Sequence, residues 1–214
     1  MKPIVLSSSH ILQLQGRCLH RLNAFKQTVQ SLLPITNPVG FPRHRDDYGS
    51  LLNRLGLIGE GAEVGSAYGA FARQILNQWN GRMLHMIDPW VAYSDYSENY
   101  DFMGCYRQCL NLEREDDRVV LHKAFSNDAL SRFEDESLDW VYIDGNHSYE
   151  GITCDMQWHF KVKRGGIVAG HDYYNNTHPP FNCEVRRGLD EFTKGIGVKP
   201  FTNTKCTSWY YVRP

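Results

Sequence analysis

From residue 62 onward, short apolar runs alternate with segments whose apolar residues recur every three or four positions. Ala62-Glu63-Val64-Gly65 reads as a short buried strand, and Phe71, Ala72, Ile75, Leu76 and Trp79 mark a helical face. Met83–Asp88 is the next strand, followed by a helix around Asp101–Leu112, a strand at Arg118–Leu121 and a short helix after Ser126. Leu138–Asp144 is a hydrophobic strand. The pattern predicts a helix over Ser148–Lys163, with Ile152, Met156 and Phe160 on one face, closed by Gly165-Gly166. Ile167–Gly170 is a strand, Val185, Leu189 and Phe192 mark a helix, and Trp209–Val212 is a final strand. Such alternation implies an α/β fold, with right-handed crossovers and helices on both faces of a mostly parallel sheet. Ligands of such sheets sit beyond the carboxyl ends of the strands. The positions to read are therefore Gly65, Asp88, Ser126, Asp144 and His171-Asp172.

The remainder constrains less. Residues 1–57 read as an N-terminal helical extension and 58–214 as a single globular unit. Within the extension, Ser9–Leu33 is an amphipathic helix stopped by Pro34, suited to packing on the body, to a homodimer contact or to a lid. A short helix is expected at Tyr48–Leu55. With 23 basic and 24 acidic residues the chain carries no field for general nucleic-acid or anionic-membrane binding, and Arg43-His44-Arg45 is too short to change that. The apolar runs fall below the roughly 18 residues of a membrane span, and the N-terminus lacks a signal-peptide core. Six dispersed cysteines without a CxxC pair fit reduced thiols in a cytoplasmic protein.

The loop Glu63-Val64-Gly65-Ser66-Ala67-Tyr68-Gly69 joins the first strand to its helix, and its glycines let the backbone turn close to a ligand. Asp88 ends the second strand, where a carboxylate can accept from both ribose hydroxyls. Gly59-Glu60-Gly61 precedes the strand instead of following it, so no pyrophosphate fingerprint forms and a cofactor without phosphates fits better. These residues resemble a class I S-adenosylmethionine-dependent methyltransferase, with Glu63 to Gly69 as its first motif and Asp88 as its second. The resemblance implies a Rossmann-like fold with a seven-stranded sheet. It also implies that Glu63, Gly65, Ser66, Tyr68 and Gly69 hold the methionine end of the cofactor and Asp88 the ribose. Trp90 and the Ala124-Phe125-Ser126 stretch would border the adenine. Trp90 is equally compatible with ordinary core, and Ser126 with capping the next helix.

A second pair of segments carries the chemistry. Asp144-Gly145-Asn146-His147-Ser148-Tyr149-Glu150 and Gly165-Gly166-Ile167-Val168-Ala169-Gly170-His171-Asp172-Tyr173 each end a strand in Asp and His. Packing does not explain two such endings at one sheet edge. These DGxHxYE and GGxxxxHDY segments resemble small methyltransferases similar to the metal-dependent O-methyltransferases of macrolide sugars, over roughly residues 58–175. The resemblance implies that Asp144, His171 and Asp172 ligate a divalent cation and that His147 is the general base. The chain departs from those relatives at His171, where a carboxylate is usual. Oxygen ligands favour magnesium, and the imidazole shifts preference toward manganese, iron or zinc. The expected reaction is methylation of a hydroxylated small molecule, sugar or polyphenol-like. The aromatic residues of two loops, Trp90 to Phe102 and Tyr173 to Phe181, either wall its pocket or simply pack. The rival readings are a nucleoside-binding module without catalysis, and a nicotinamide-dependent oxidoreductase.

Overall fold

The computed structural model describes residues 44–92, 100–174, 183–204 and 206–214. The helix expected at Ser9–Leu33, with its dimer or lid role, lies outside these residues, as do Tyr93, Tyr96, His178, Pro179, Pro180 and Phe181.

A 3-10 turn at Arg45–Asp47 leads into α1 (Tyr48–Arg54). Then come β1 (Glu60–Val64), α2 (Ala70–Leu76), β2 (Met83–Asp88), α3 (Phe102–Glu115), β3 (Val119–Lys123) and α4 (Ser126–Ala129). The second half holds β4 (Leu138–Ile143), α5 (Tyr149–Asp155), β5 (Val162–Gly170), α6 (Val185–Gly195), β6 (Phe201–Thr202) and β7 (Trp209–Val212). The sheet order is β3-β2-β1-β4-β5-β7-β6. Strands β1 to β5 pair in parallel, and β7 runs antiparallel to both β5 and β6. This is the mostly parallel seven-stranded sheet that the resemblance implied. The chain direction across the sheet reverses between β1 and β4, so the crevice for a ligand opens at their carboxyl ends.

Every residue of β4 is buried, because helices cover both faces of the sheet there. Trp140 and Tyr142 point to one face, against Tyr48, Leu51, Phe71 and Trp79. Val141 and Ile143 point to the other, against Ile152, Met156, Trp158 and Leu189. That two-residue alternation is the pleat expressed as two cores. The first core reaches outside the unit read as 58–214: Tyr48 is 2% exposed, and Leu51 and Leu52 are fully enclosed. No helix among the described residues is long and apolar enough to cross a membrane.

The helix expected over Ser148–Lys163 is shorter. Regular α-helix stops at Asp155, a 3-10 stretch runs over Met156–Lys161, and Val162 already begins β5. Tertiary contacts account for the change. Trp158 Nε1 donates to Ser126 Oγ (2.8 Å), His159 Nδ1 meets the Tyr211 hydroxyl (3.0 Å), and Lys161 Nζ donates to the Phe133 carbonyl (2.7 Å). Three consecutive turns of α-helix would not aim these side chains at those partners. Gly165-Gly166 therefore lies inside β5, at a bulge where the register on β4 shifts between Leu138 and Trp140. The two-residue strand β6 carries too little pattern to be read from sequence.

Leu51→Ala should cost about 2–5 kcal/mol, because it empties an enclosed site in the core. Urea unfolding is the measurement. A loss of a few tenths would mean that α1 is an appendage rather than part of the fold.

Candidate active site

The ends of β1 and β4 are stitched together by backbone. Asp144 N–H donates to the Val64 carbonyl (2.8 Å), and Gly65 N–H donates to the Ile87 carbonyl on β2 (2.8 Å). Gly65 has φ +88°, and a Cβ there would stand 2.1 Å from the Asp144 carbonyl oxygen. Only glycine permits that turn and that approach together. Ser66 follows at 3% exposure, and Gly69, at φ +80°, opens α2. Tyr68 stands out from the loop at 54% exposure.

Asp88 holds this turn in place. Its Oδ2 accepts from Ala67 N–H (2.9 Å) and its Oδ1 from Trp90 N–H (2.7 Å). Both residues have left-handed backbone, φ +46° and +45°, and one carboxylate pins both. Burial raises the Asp88 pKa, against the two amides. Trp90 is enclosed in the core, with Nε1 donating to the Ala67 carbonyl (2.7 Å) and its ring packed on Tyr106. Of the two sequence readings for Trp90, the structure places it among core residues. Ser126 is the first residue of α4; Phe125 occupies the cap position, without a side-chain cap bond. The Ser126 hydroxyl instead accepts from Trp158 and bonds Asp155, a buried carboxyl that burial pushes up to about 6.

Glu63 is 3% exposed, and its Oε2 has no hydrogen-bond partner. Burial pushes its pKa up to about 8, and nearby Asp144 and Asp88 add to that, while Ser66 opposes it. At neutral pH this carboxyl is therefore protonated until a cation approaches.

The second cluster forms where β4 and β5 end. Asp144, His171 and Asp172 bring one ligand atom each within 4.8 Å of one another, the one such group among the described residues. Asp172 is 4% exposed with φ +64°. Its Oδ1 lies 2.7 Å from His171 Nδ1, and its Oδ2 lies 2.8 Å from His147 Nε2. His147 Nε2 is also 3.5 Å from Asp144 Oδ1. Burial works against a charged imidazole at His147, but Asp144 and Asp172 outweigh it and push the pKa up to about 10. Burial would raise the Asp172 carboxyl, yet the two histidines hold it far below the usual carboxylate range. His171 is fixed from behind by Thr207 Oγ1 (3.1 Å to Nε2) and by Trp209 Nε1, which donates to its carbonyl (3.0 Å).

Sequence reasoning passed over Arg45, whose Nη1 lies 3.6 Å from Asp144 Oδ2. No spacing rule links a residue ahead of α1 to the end of β4. Cys105 and Cys109 are free buried thiols on α3; burial, with neighbouring carboxylates, pushes Cys109 up to about 12, and its Sγ points to the Ala67 carbonyl (3.4 Å).

A Rossmann-like sheet in this order, with a glycine turn after β1 and a carboxylate after β2, defines a class I methyltransferase. The family model described as a methyltransferase domain matches residues 62–173, just over half of the chain, and the chain belongs to that family. It is thus an S-adenosylmethionine-dependent methyltransferase, and methyl transfer replaces the hydride-transfer reading. No curated protein matches the chain. Among solved structures it is similar to a candidate O-methyltransferase from Klebsiella pneumoniae, with 16% identity, TM-score 0.54, and 99% of this chain and 92% of that one covered. A cofactor-bound protein from MTB gives 15% identity and TM-score 0.55, over 92% and 90% of the two chains. A candidate rRNA methylase from Clostridium thermocellum gives 13% and 0.55, over 80% and 95%. At such identities these likenesses establish the shared fold.

The Glu63 carboxyl yields a stability prediction. Its folded pKa of about 8 lies above the ordinary 4.5, so the folded state holds a proton that the unfolded state has released. Stability from this group should fall as pH rises through that window, by about 1.4 kcal/mol per unit. Glu63→Gln should lose this slope. Urea midpoints of both proteins at pH 5 and pH 8 test it, and parallel slopes would disprove it.

Proposed function

We propose that the chain methylates a hydroxyl oxygen of a small acceptor with the help of a divalent cation, in the manner of the macrolide-sugar enzymes that its DGxHxYE and GGxxxxHDY segments resemble. The observation that carries this reading is the convergence of Asp144, His171, Asp172 and His147 beside the Gly65 turn. The cofactor's methionine end, at that turn, would lie next to the groups that handle the acceptor.

The residues present suit both ligands. The unpartnered Glu63 Oε2 fits an ammonium or sulfonium charge, which would draw off its proton. Asp88 spends one lone pair of each oxygen on an amide, and the others are available to the ribose hydroxyls. The exposed Tyr68 and buried Ser66 flank the methionine end, and Ser126 keeps one lone pair for the adenine amine. Two carboxylates and an imidazole form a donor set for manganese or magnesium, manganese being better matched to the nitrogen. A bound cation supplies Lewis acidity that lowers the acceptor pKa.

Transfer from a sulfonium neutralises charge, so the protein's task is to align oxygen and methyl and to remove one proton. His147 Nε2 is placed to take that proton. In the resting site the two carboxylates keep the imidazole charged. Neutralising their charge frees it to act as a base. Asp172, held by His171, keeps the ring at the site throughout.

His147→Ala should lower turnover about 10²–10⁴-fold and leave cofactor affinity nearly intact. The assay reads S-adenosylhomocysteine release across a panel of hydroxylated compounds, with affinity from calorimetry. Loss of cofactor binding together with turnover would make His147 structural. Chelation should abolish turnover and manganese or magnesium should restore it; full activity in excess chelator would remove the cation from this proposal.

A further inference from the structure

Thr207 lies between β6 and β7 with φ +49°, a region that β-branched residues rarely enter. Asp172, next to His171, is left-handed as well, at φ +64°. Such strain persists where the surroundings over-determine it, and it collects at functional sites. The turn at Thr207 is held on several sides. Tyr173 N–H donates to the Thr207 carbonyl (2.9 Å), and Asn203 N–H donates to the Ser208 carbonyl (2.8 Å). The Ser208 hydroxyl donates to the Cys206 carbonyl (3.2 Å) and meets the Tyr142 hydroxyl at 3.1 Å.

The strained residue aims its hydroxyl at one ring. Thr207 Oγ1 lies 3.1 Å from His171 Nε2. The other nitrogen of that ring, Nδ1, faces the carboxylates, 2.7 Å from Asp172 Oδ1 and 3.9 Å from Asp144 Oδ1. The His171 backbone is fixed separately: its N–H donates to the Ile143 carbonyl (3.1 Å), and its carbonyl accepts from Trp209 Nε1 (3.0 Å). An imidazole that ligates through Nδ1 leaves that nitrogen bare and carries its proton on Nε2. An oxygen that accepts from Nε2–H fixes this tautomer and the ring orientation, and it makes the ring a better ligand.

We propose that Thr207 is a positioning residue that presents His171 Nδ1 to a cation and so gives the site a preference for manganese over magnesium. This rests on the reading of Asp144, His171 and Asp172 as a cation site. Without an imidazole held in this tautomer, the two carboxylates leave an oxygen site of the kind that magnesium accepts.

Manganese and magnesium binding to the full chain tests this, with manganese read from the EPR signal of the free ion and magnesium by competition. Neither readout depends on turnover. The natural protein should hold manganese more tightly than magnesium. Thr207→Val keeps the branched shape and loses the hydroxyl, so manganese affinity should fall about 10–100-fold. Magnesium affinity should change by about threefold or less. Thr207→Ser should bring manganese back to within about threefold of the natural protein. Thr207→Gly adopts the backbone freely and should show the same selective loss, which covers a valine variant that does not fold. Unchanged S-adenosylhomocysteine affinity by calorimetry shows that each variant keeps its cofactor loop. Manganese binding that survives loss of the hydroxyl, equal losses of both cations, or a serine variant as weak as the valine would each overturn the proposal. So would a natural protein that prefers magnesium. A natural protein that binds neither cation would overturn it together with the cation reading beneath it, which the first set of failures leaves standing.

Discussion

The approach of the Gly65 turn to the Asp144 carbonyl is the constraint on which the rest depends. Two parallel strands end side by side, and the first must turn at once into its helix. A side chain at 65 would collide with the backbone of the neighbouring strand. Because none is present, the cofactor loop and the carboxylate cluster share one wall of the crevice. Asp88 then sets the loop from the other side by holding two amides, and Trp90 closes over it from the core. The placement of the cofactor loop against the end of β4 is thus fixed by backbone contacts.

Much of this was legible in the sequence, because strand ends in a doubly wound sheet announce themselves. A buried apolar run followed by Gly, Asp or His has few structural explanations, and Asp144, His171 and Asp172 do come together as read. What stayed hidden depends on contacts between distant segments. Arg45 reaches Asp144 from ahead of the sheet, and no local pattern encodes that. Trp90 could face a ligand or the core, since a tryptophan next to a proline looks the same in either place. Ser126 resembled a helix cap, but its hydroxyl is used by Trp158 and Asp155. The 3-10 stretch after α5 keeps helical spacing in sequence while its side chains are drawn to Ser126, Tyr211 and Phe133.

The site is crowded with carboxyl groups. Glu63, Asp88, Asp144, Asp155 and Asp172 all lie near the carboxyl edge of the sheet, and the buried ones among them pull in different directions. Burial pushes Glu63 and Asp155 up, while the neighbouring histidines hold Asp172 far below the usual carboxylate range. The cationic partners at this edge are Arg45, 3.6 Å from Asp144, and His147, 3.5 Å from Asp144 and 2.8 Å from Asp172.

The antiparallel β7 adds a constraint of another kind. Thr207, just ahead of β7, and Trp209, its first residue, brace His171, although neither belongs to the cluster of Asp144, His171 and Asp172. The glycine turn is instead stitched to β2 and β4 by backbone bonds that involve no residue of β7. A change at Thr207 would therefore loosen the imidazole at the end of β5 and leave the cofactor loop as it is.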